Sequence, residues 1–286
     1  MWIDWINKIK LKNDNRLKIK LVGNSFSHIT SDHFGYSVHG KVSNSIKWIK
    51  SKAKFTFFVD NAINDAFKIQ DKSIKFAWLL ESKFITPKIV EDIITNPTPY
   101  LDTFDLIFTH NQELLKINSK FKWVPAQGYW IKNAALYPKS KKISMITSNK
   151  SITEGHKNRL VWVSKLEGQV DLYGRGYNEI KLKEEGLCDY MYSVVIENGN
   201  YDSYFTEKIL DCFATGTIPV YSGSSDIGDF FNSDGIIKLE SNFNVEDISE
   251  SDYISRMEAI KDNLERVKKM EILEDFIFEN YLKNLI

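Results

Sequence analysis

The sequence predicts an α/β protein of two Rossmann-like domains, whose parallel sheets face each other across a cleft, followed by C-terminal helices. Its 286 residues correspond to about two domains at roughly 150 residues each. Short runs of β-branched or aromatic residues alternate with helical stretches, a pattern typical of parallel-sheet α/β proteins. The alternation restarts after a connection at 123–142 that contains Pro125, Gly128, Pro138 and several lysines. We therefore divide the chain into a first domain at 1–135 and a second at 136–286.

The first domain is expected to alternate between buried strands and amphipathic helices. Strands are predicted near 17–23, 55–60, 74–80 and 106–109, and helices at 87–95 and 111–117. The helix at 87–95 starts with a proline, which suits the first helical turn because its fixed backbone angle is already helical.

The second domain repeats this alternation. Strands are predicted at 143–147, 170–173, 192–196, 217–221 and 235–239, and helices at 155–166 and 206–214. In the helix at 155–166 we expect Leu160, Val163 and Leu166 to face inward. The last 40 residues read as helical, with Ile254, Met257, Ile260 and Leu264 on one face. Because ligands of open α/β sheets bind beyond the carboxyl ends of the strands, the cleft is the expected site.

Charge and cysteine content exclude several classes of protein. The 38 basic and 38 acidic residues give a net charge of zero, so no overall field recruits nucleic acid. Two cysteines, Cys188 and Cys212, match neither a disulfide framework nor zinc-site spacing. We read them as reduced thiols of a cytoplasmic protein. No apolar stretch is long enough to span a bilayer.

The N-terminal ten residues lack the pattern of a signal peptide. An apolar helical face is predicted there, formed by Trp2, Trp5, Ile6 and Ile9. This helix either packs on its own domain or makes a weak peripheral membrane contact.

The segment at 192–221 is the most informative part of the chain. It reads as a buried strand, a polar loop, a helix whose first turn holds Thr206, Glu207 and Lys208, and a second strand after Gly216. Free backbone N–H groups and the helix dipole favour an anion at such a helix start. The carboxylate of Glu207 can accept two hydrogen bonds from vicinal hydroxyls, as a ribose offers. The alternative is that Glu207 is an ordinary first-turn acid and that Lys208 is solvated.

As a contiguous string, this segment resembles the nucleotide-sugar-binding signature of glycosyltransferase family 10, the α1,3/4-fucosyltransferases. The matching residues are Glu197-Asn198, Tyr204, Thr206-Glu207-Lys208 and the run at 216–223. The resemblance extends to 155–159 and 170–176, and more weakly to 78–82 and 104–109. It implies the GT-B fold of two Rossmann-like domains.

The resemblance also implies roles for the donor-site residues. Glu207 would accept the ribose hydroxyls of a guanosine diphosphate sugar, and Lys208 and Arg159 would hold its pyrophosphate. Asn198 and Tyr204 would line the same pocket. Two cations would balance a diphosphate diester, so no metal or other cofactor is expected, and the chain contains no Asp-x-Asp triplet. The alternative for Arg159 is a solvated helix residue.

On the acceptor side, the resemblance implies that Glu81, directly after the strand at 74–80, is the general base. The alternative is a surface glutamate at a strand end. Ser82-Lys83 and 109–112 depart from the family pattern beside the donor sugar, which bears on fucose more than on the nucleotide. His110 and His28, with His33 and His39, are candidate sugar or acceptor contacts; the alternative is loop histidines without a chemical role.

These observations predict an inverting, metal-independent glycosyltransferase that moves a sugar, most simply L-fucose from GDP-fucose, to a glycan hydroxyl. The alternatives are a transferase using a different nucleotide sugar and a catalytically silent nucleotide-sugar-binding protein. The expected partners are a nucleotide-sugar donor and a glycan acceptor.

Overall fold

The computed structural model describes residues 15–23, 43–126 and 128–285. The predicted N-terminal helix and His28, His33 and His39 lie outside these residues. Within them, two sheets form. The strand order is Ile46–Ile49, Leu17–Val22, Phe55–Val59, Ile74–Leu79, Leu106–Thr109, Phe121–Trp123 in the first and Ile237–Lys238, Ile218–Ser222, Tyr190–Ile196, Lys141–Ile146, Asp171–Tyr173 in the second. Every strand pair is parallel. The predicted α/β architecture of two parallel sheets is confirmed.

The strands are β1 Leu17–Val22, β2 Ile46–Ile49, β3 Phe55–Val59, β4 Ile74–Leu79, β5 Leu106–Thr109, β6 Phe121–Trp123, β7 Lys141–Ile146, β8 Asp171–Tyr173, β9 Tyr190–Ile196, β10 Ile218–Ser222 and β11 Ile237–Lys238. The α-helices are α1 Pro87–Thr95, α2 Thr98–Thr103, α3 Gln112–Leu115, α4 Glu154–Lys165, α5 Glu207–Thr215, α6 Ile227–Phe230, α7 Glu250–Ser255, α8 Met257–Lys268 and α9 Leu273–Ile277. Short 3₁₀ segments include Asp60–Phe67 and Lys183–Gly186, and a π-helical turn spans Phe278–Leu282.

The first sheet is built on buried aromatic residues. All five residues of β3 are buried, as expected for a strand covered on both faces of a parallel sheet. The Phe57 ring lies parallel to that of Phe108, with the ring centroids 5.5 Å apart. The two strands that the sequence analysis missed, β2 and β6, are the edges of this sheet. They are short and interrupted by lysine, so they lack the apolar run of a central strand.

Helix α4 covers the second sheet with a face that the sequence analysis predicted only in part. Leu166 is buried, but Leu160 and Val163 are only half-buried, and the buried stripe runs through His156, Arg159 and Trp162 instead. A charged residue therefore belongs to the inner face of this helix.

The predicted common face of Ile254, Met257, Ile260 and Leu264 also needs correction, because Ile254 points to solvent. Arg256 ends α7 and precedes α8 with a backbone conformation that is not helical, so the two helices do not form one continuous helix. In α7 the buried side chain is that of Tyr253, whereas Ile260 and Leu264 of α8 are buried as expected.

The last residues of the chain return to the first sheet, although the sequence analysis assigned them to the second domain. Leu273, Ile277 and Leu282 are buried in the core of the first sheet. Two hydrogen bonds fasten this segment there: Trp48 Nε1 donates to Glu274 Oε1 at 3.1 Å, and the Tyr281 hydroxyl donates to the Trp123 carbonyl at 2.6 Å. The chain thus crosses between the sheets twice. The boundary at residue 135 stays a prediction.

Substitution of Leu273 tests this packing. Leu273→Ala removes a fully buried side chain, and we expect it to lower the free energy of unfolding by about 2–5 kcal/mol. Leu285→Ala, in the same segment but 54% exposed, should change it by no more than about 0.5 kcal/mol. Chemical denaturation measures both. Equal effects of the two substitutions would contradict the packing of the C-terminal segment on the first sheet.

Candidate functional site

A cavity of about 300 Å³ lies beyond the carboxyl ends of β7 and β9, between α4 and the start of α5. This is where open α/β sheets bind ligands, because the loops that follow parallel strands meet at one edge. Apolar residues of the two strands form part of its wall. Its charged lining residues are Arg159, Lys183, Glu207, Lys208 and Asp211. The structure therefore brings together Arg159, Glu207 and Lys208, as the sequence analysis predicted from separate motifs.

The start of α5 is held by a side-chain cap. Thr206 is the N-cap residue, and its hydroxyl accepts a hydrogen bond from the Lys208 N–H, which satisfies one of the free donors of the first turn. The helix is nine residues long and ends at Gly216, whose φ of 69° is in the left-handed region that glycine adopts most easily. Glu207 and Lys208 thus have a fixed place at the cavity wall.

A buried carboxylate that the sequence analysis did not assign, Glu197, organises this helix start. It follows β9 directly and is 2% exposed. It accepts hydrogen bonds from the Thr206 N–H at 2.9 Å, the Thr206 hydroxyl at 2.8 Å and Lys208 Nζ at 3.1 Å. The sequence did contain a signal for Glu197, because an acidic residue directly after a buried strand is expected to be buried as well. A buried carboxylate needs hydrogen-bond partners.

Two ammonium groups set the ionisation of Glu207. Lys183 Nζ lies 3.5 Å and Lys208 Nζ 3.7 Å from Glu207 Oε1. Burial by itself would raise the pKa of Glu207, but Lys208 and Lys183 outweigh it and bring the pKa down to about 2. Glu207 is therefore a carboxylate, an acceptor of hydrogen bonds only.

Lys183 is in turn fixed by Asp211, and neither was predicted. The two form an ion pair of 2.7 Å, and Lys183 Nζ lies 4.2 Å from the centroid of the Trp130 ring. Asp211 also accepts a hydrogen bond from the backbone N–H of Trp130 at 2.5 Å. Asp211 lies four residues after Glu207, on the same helix face, which was a usable signal. Lys183 lies in a stretch with other lysines and glutamates, and nothing in the sequence distinguishes it from the neighbouring lysine.

Arg159 reaches the cavity from the buried face of α4, so the alternative of a solvated helix residue does not hold. Its guanidinium donates from Nη2 to Asn198 Oδ1 and from Nε to the Gly155 carbonyl, the latter at 3.3 Å. A Cβ atom on Gly155 would lie 2.3 Å from the Glu197 carbonyl oxygen. Because position 155 has no side chain, α4 can pack directly on the end of β9 and hold Arg159 there.

Glu81 lies on the first domain, two residues after the end of β4, and is half-buried. Burial raises the pKa of its carboxyl group, the Asp60 and Glu207 carboxylates raise it further, and Lys208 opposes them. Glu81 does not line the cavity, but two residues later the Lys83 N–H donates to the Tyr201 hydroxyl at 3.3 Å, so the segment after Glu81 contacts the loop that leads into α5. Asp60 Oδ1 accepts hydrogen bonds from the N–H groups of Leu80 and Glu81, at 2.9 and 3.0 Å, which fixes the end of the strand.

The remaining predicted residues lie near the cavity without lining it. Asn198 supports Arg159, and Thr206 is the cap. Tyr204 is buried, with its ring parallel to that of Tyr201 at 4.6 Å between centroids. The prediction that Asn198 and Tyr204 form the pocket wall is thus not met by the cavity as it stands.

His110 is buried rather than open to a ligand. Its Nε2 atom lies 2.9 Å from the Tyr201 hydroxyl. Burial lowers the pKa of His110 to about 3, so the imidazole is neutral.

Three further observations concern the residues that the structure describes. No group of three or more His, Cys, Asp or Glu side chains there is arranged to hold a metal ion. None of the helices in these ranges is long and apolar enough to cross a membrane. Cys188 and Cys212 are both free thiols.

Part of the chain is similar to known fucosyltransferases. Residues 136–267 match the model of the C-terminal part of glycosyltransferase family 10 (fucosyltransferase). Over 110 residues the chain is 31% identical to alpha-(1,3)-fucosyltransferase FucT of Helicobacter pylori, an alignment that spans 38% of this chain and 20% of that protein.

Solved structures are similar over most of the chain. A crystal structure of an alpha1,3-fucosyltransferase aligns with a TM-score of 0.53 and 17% identity, over 94% of this chain and 88% of that one. An alpha1,3-fucosyltransferase crystallised with GDP aligns with a TM-score of 0.52 and 14% identity, over 91% and 92% of the two chains. With its two parallel sheets, the protein has the GT-B fold, a class that contains many glycosyltransferases. Within this fold, residues 136–267 are the part of the chain that is similar to glycosyltransferase family 10.

The low pKa of Glu207 leads to a pH-dependent stability. Its folded pKa of about 2 lies below the usual 4.5, so its stabilising effect is present above about pH 5 and is lost as the pH falls towards about 2. Glu207→Gln should remove about 3 kcal/mol of this acid dependence of the unfolding free energy. Glu258→Gln, whose side chain is 93% exposed, should keep it. Parallel pH curves for Glu207→Gln and the unaltered protein would contradict the ion-pair arrangement.

Proposed function

We propose that this protein is an inverting, metal-independent glycosyltransferase that transfers L-fucose from GDP-fucose to a glycan hydroxyl. The observation that carries the proposal is the meeting of Arg159, Lys208 and Glu207 in one cavity, next to a loop whose Tyr201 contacts the segment that follows Glu81. The match of residues 136–267 to the family model and a structural relative crystallised with GDP support the choice of donor.

The cavity offers separate partners for the two polar parts of the donor. The guanidinium of Arg159 has five N–H donors, of which Asn198 and Gly155 engage two, and the others are available to phosphate oxygens. Lys208 and the N-terminus of α5 add positive charge at the same place. Glu207, kept ionised by its lysine neighbours, is suited to accept hydrogen bonds from the ribose hydroxyls.

Fixed cations in the lining can stabilise the departing diphosphate. Lys183 is paired with Asp211 and Lys208 with Glu197, whereas the guanidinium of Arg159 is held by the neutral Asn198 amide and the Gly155 carbonyl. Charge that develops on the leaving diphosphate is therefore met by groups already held in place, which is the most effective form of electrostatic stabilisation.

Glu81 is suited to act as the general base. The acceptor hydroxyl attacks the anomeric carbon from the face opposite the diphosphate, and its proton passes to the Glu81 carboxylate. The new carbon–oxygen bond forms as the bond to the diphosphate breaks, so the configuration inverts. A carboxylate with a raised pKa binds this proton more readily than an exposed one.

Neutralising Glu81 tests the mechanism. Glu81→Gln should lower the turnover of GDP-fucose by about 10²–10⁴-fold, because no base accepts the acceptor proton. The dissociation constant of GDP should change by no more than about twofold, since the nucleotide partners lie on the other domain. Release of GDP in the presence of a glycan panel measures turnover, and calorimetry measures binding. Glu91→Gln, an exposed glutamate of α1, is the matched control. Full turnover by Glu81→Gln would disprove the assigned base.

A donor screen tests the nucleotide. GDP-fucose should raise the thermal midpoint more than UDP-, ADP- or CMP-linked sugars, because ligand binding stabilises the folded state by about 2.7 kcal/mol at a hundred times its dissociation constant. Arg159→Gln should reduce this shift, whereas Lys157→Gln, on the exposed face of the same helix, should retain it. Preferential stabilisation by a UDP-sugar would overturn the donor assignment, and stabilisation without turnover would indicate a silent binding protein.

A further inference from the structure

The loop between β9 and α5 reaches across to the first domain through Tyr201. The Tyr201 hydroxyl accepts a hydrogen bond from the Lys83 N–H at 3.3 Å and lies 2.9 Å from His110 Nε2. Two residues further on, the Ser203 hydroxyl accepts a hydrogen bond from Gln112 Nε2 at 2.8 Å. Three elements of the first domain are therefore fastened to one loop of the second.

Ring packing holds Tyr201 from two sides. Its ring is parallel to that of Tyr204 within 13° and meets the Phe84 ring edge-on at 5.8 Å between centroids. The Lys83 ammonium lies 4.9 Å from the centroid of the Tyr201 ring. A Cβ atom on Gly199 would come within 2.4 Å of the Phe84 ring, so any side chain at position 199 would displace that ring.

The charge state of this junction follows from burial. The Lys83 N–H can only donate, so the Tyr201 oxygen accepts there, and between Tyr201 and His110 Nε2 the histidine tautomer decides which atom donates. Burial brings the pKa of His110 to about 3 and keeps the imidazole neutral. Burial also raises the pKa of Tyr201, so the hydroxyl keeps its proton. The junction is thus uncharged throughout the neutral range.

Both ends of the junction lead directly to the candidate site. On the first domain, Lys83 follows Glu81 by two residues, in a turn closed by hydrogen bonds from the Ile85 and Thr86 N–H groups to the Ser82 carbonyl. On the second domain, the loop continues into Thr206 and Glu207 at the start of α5. The loop is itself anchored there, because Asp226 accepts hydrogen bonds from the Ser203 N–H and hydroxyl, at 2.8 and 3.0 Å.

We propose that Tyr201, paired with His110, is a positioning residue that sets the separation between Glu81 and the donor cavity. The inference rests on the proposed function. His110 and Gln112 stand where the sequence departs from the pattern of its family, so the family signature does not assign this role. The partners on the two domains fit each other in this chain: an imidazole meets a tyrosine hydroxyl, and an amide meets a serine hydroxyl.

Tyr201→Phe tests the role, because it removes the hydroxyl and keeps the ring packing. We expect the turnover number for GDP-fucose to fall by about tenfold, with the dissociation constant of GDP changed by no more than about twofold. The Lys83 amide loses its acceptor, so hydrogen exchange of the peptide covering 82–86 should become faster. Gln112→Ala, which removes the second bridge, should shift both measurements in the same direction and provides a test if Tyr201→Phe folds poorly.

Tyr192→Phe is the matched control. Its hydroxyl is also engaged, donating to the Ser249 carbonyl and Asp252, on a different side of the second domain. It should leave turnover and exchange at 82–86 unchanged. Unchanged turnover in Tyr201→Phe, or a loss of GDP affinity parallel to the loss of turnover, would overturn the positioning role. Failure of the unaltered protein to bind any nucleotide sugar would instead refute the proposed function, and the exchange measurement would still report on the junction.

Discussion

The buried carboxylate of Glu197 is the group on which the candidate site depends. A negative charge at 2% exposure is stable only with several hydrogen-bond partners. Those partners are the cap residue of α5 and the ammonium group of Lys208. One carboxylate thereby joins the end of a strand to the start of a helix and fixes a cation at the cavity. Removal of this acid would leave the donors of the helix start without acceptors in a region that water does not reach.

Close backbone packing complements this electrostatic anchor. Gly155 lets α4 contact the end of β9, and Arg159 extends from the next turn of the same helix to Asn198. The cavity is therefore bounded by two helices that meet the same strand end, one through a glycine and the other through a carboxylate. Cations that arise from separate parts of the chain converge there because parallel strands bring their following loops to a common edge.

The relation between the two sheets is maintained at two separate places. The C-terminal segment packs into the core of the first sheet through Leu273, Ile277 and Leu282, and the Tyr201 loop contacts the residues around Glu81. Apolar burial provides the first connection and hydrogen bonds with ring packing provide the second. A reaction in which the base and the donor belong to different domains requires both domains to keep a defined separation, because a general base must lie within hydrogen-bond reach of its proton.

Local pattern in the sequence was enough to predict the parallel α/β architecture and α1 with its exact ends. Such local pattern suffices because strand alternation and helix caps are properties of neighbouring residues. Arg159, Glu207 and Lys208 were instead predicted from the resemblance of short motifs to a family signature, and their roles stay predictions. The edge strands β2 and β6 were not predicted, because each is short and a lysine interrupts its apolar residues. Only the tertiary structure decided that Lys183 pairs with Asp211, that His110 meets Tyr201 and that the last helices return to the first sheet. These outcomes depend on which distant side chain neutralises a buried charge and which sheet has an uncovered apolar face, and neither property is contained in any local stretch of residues.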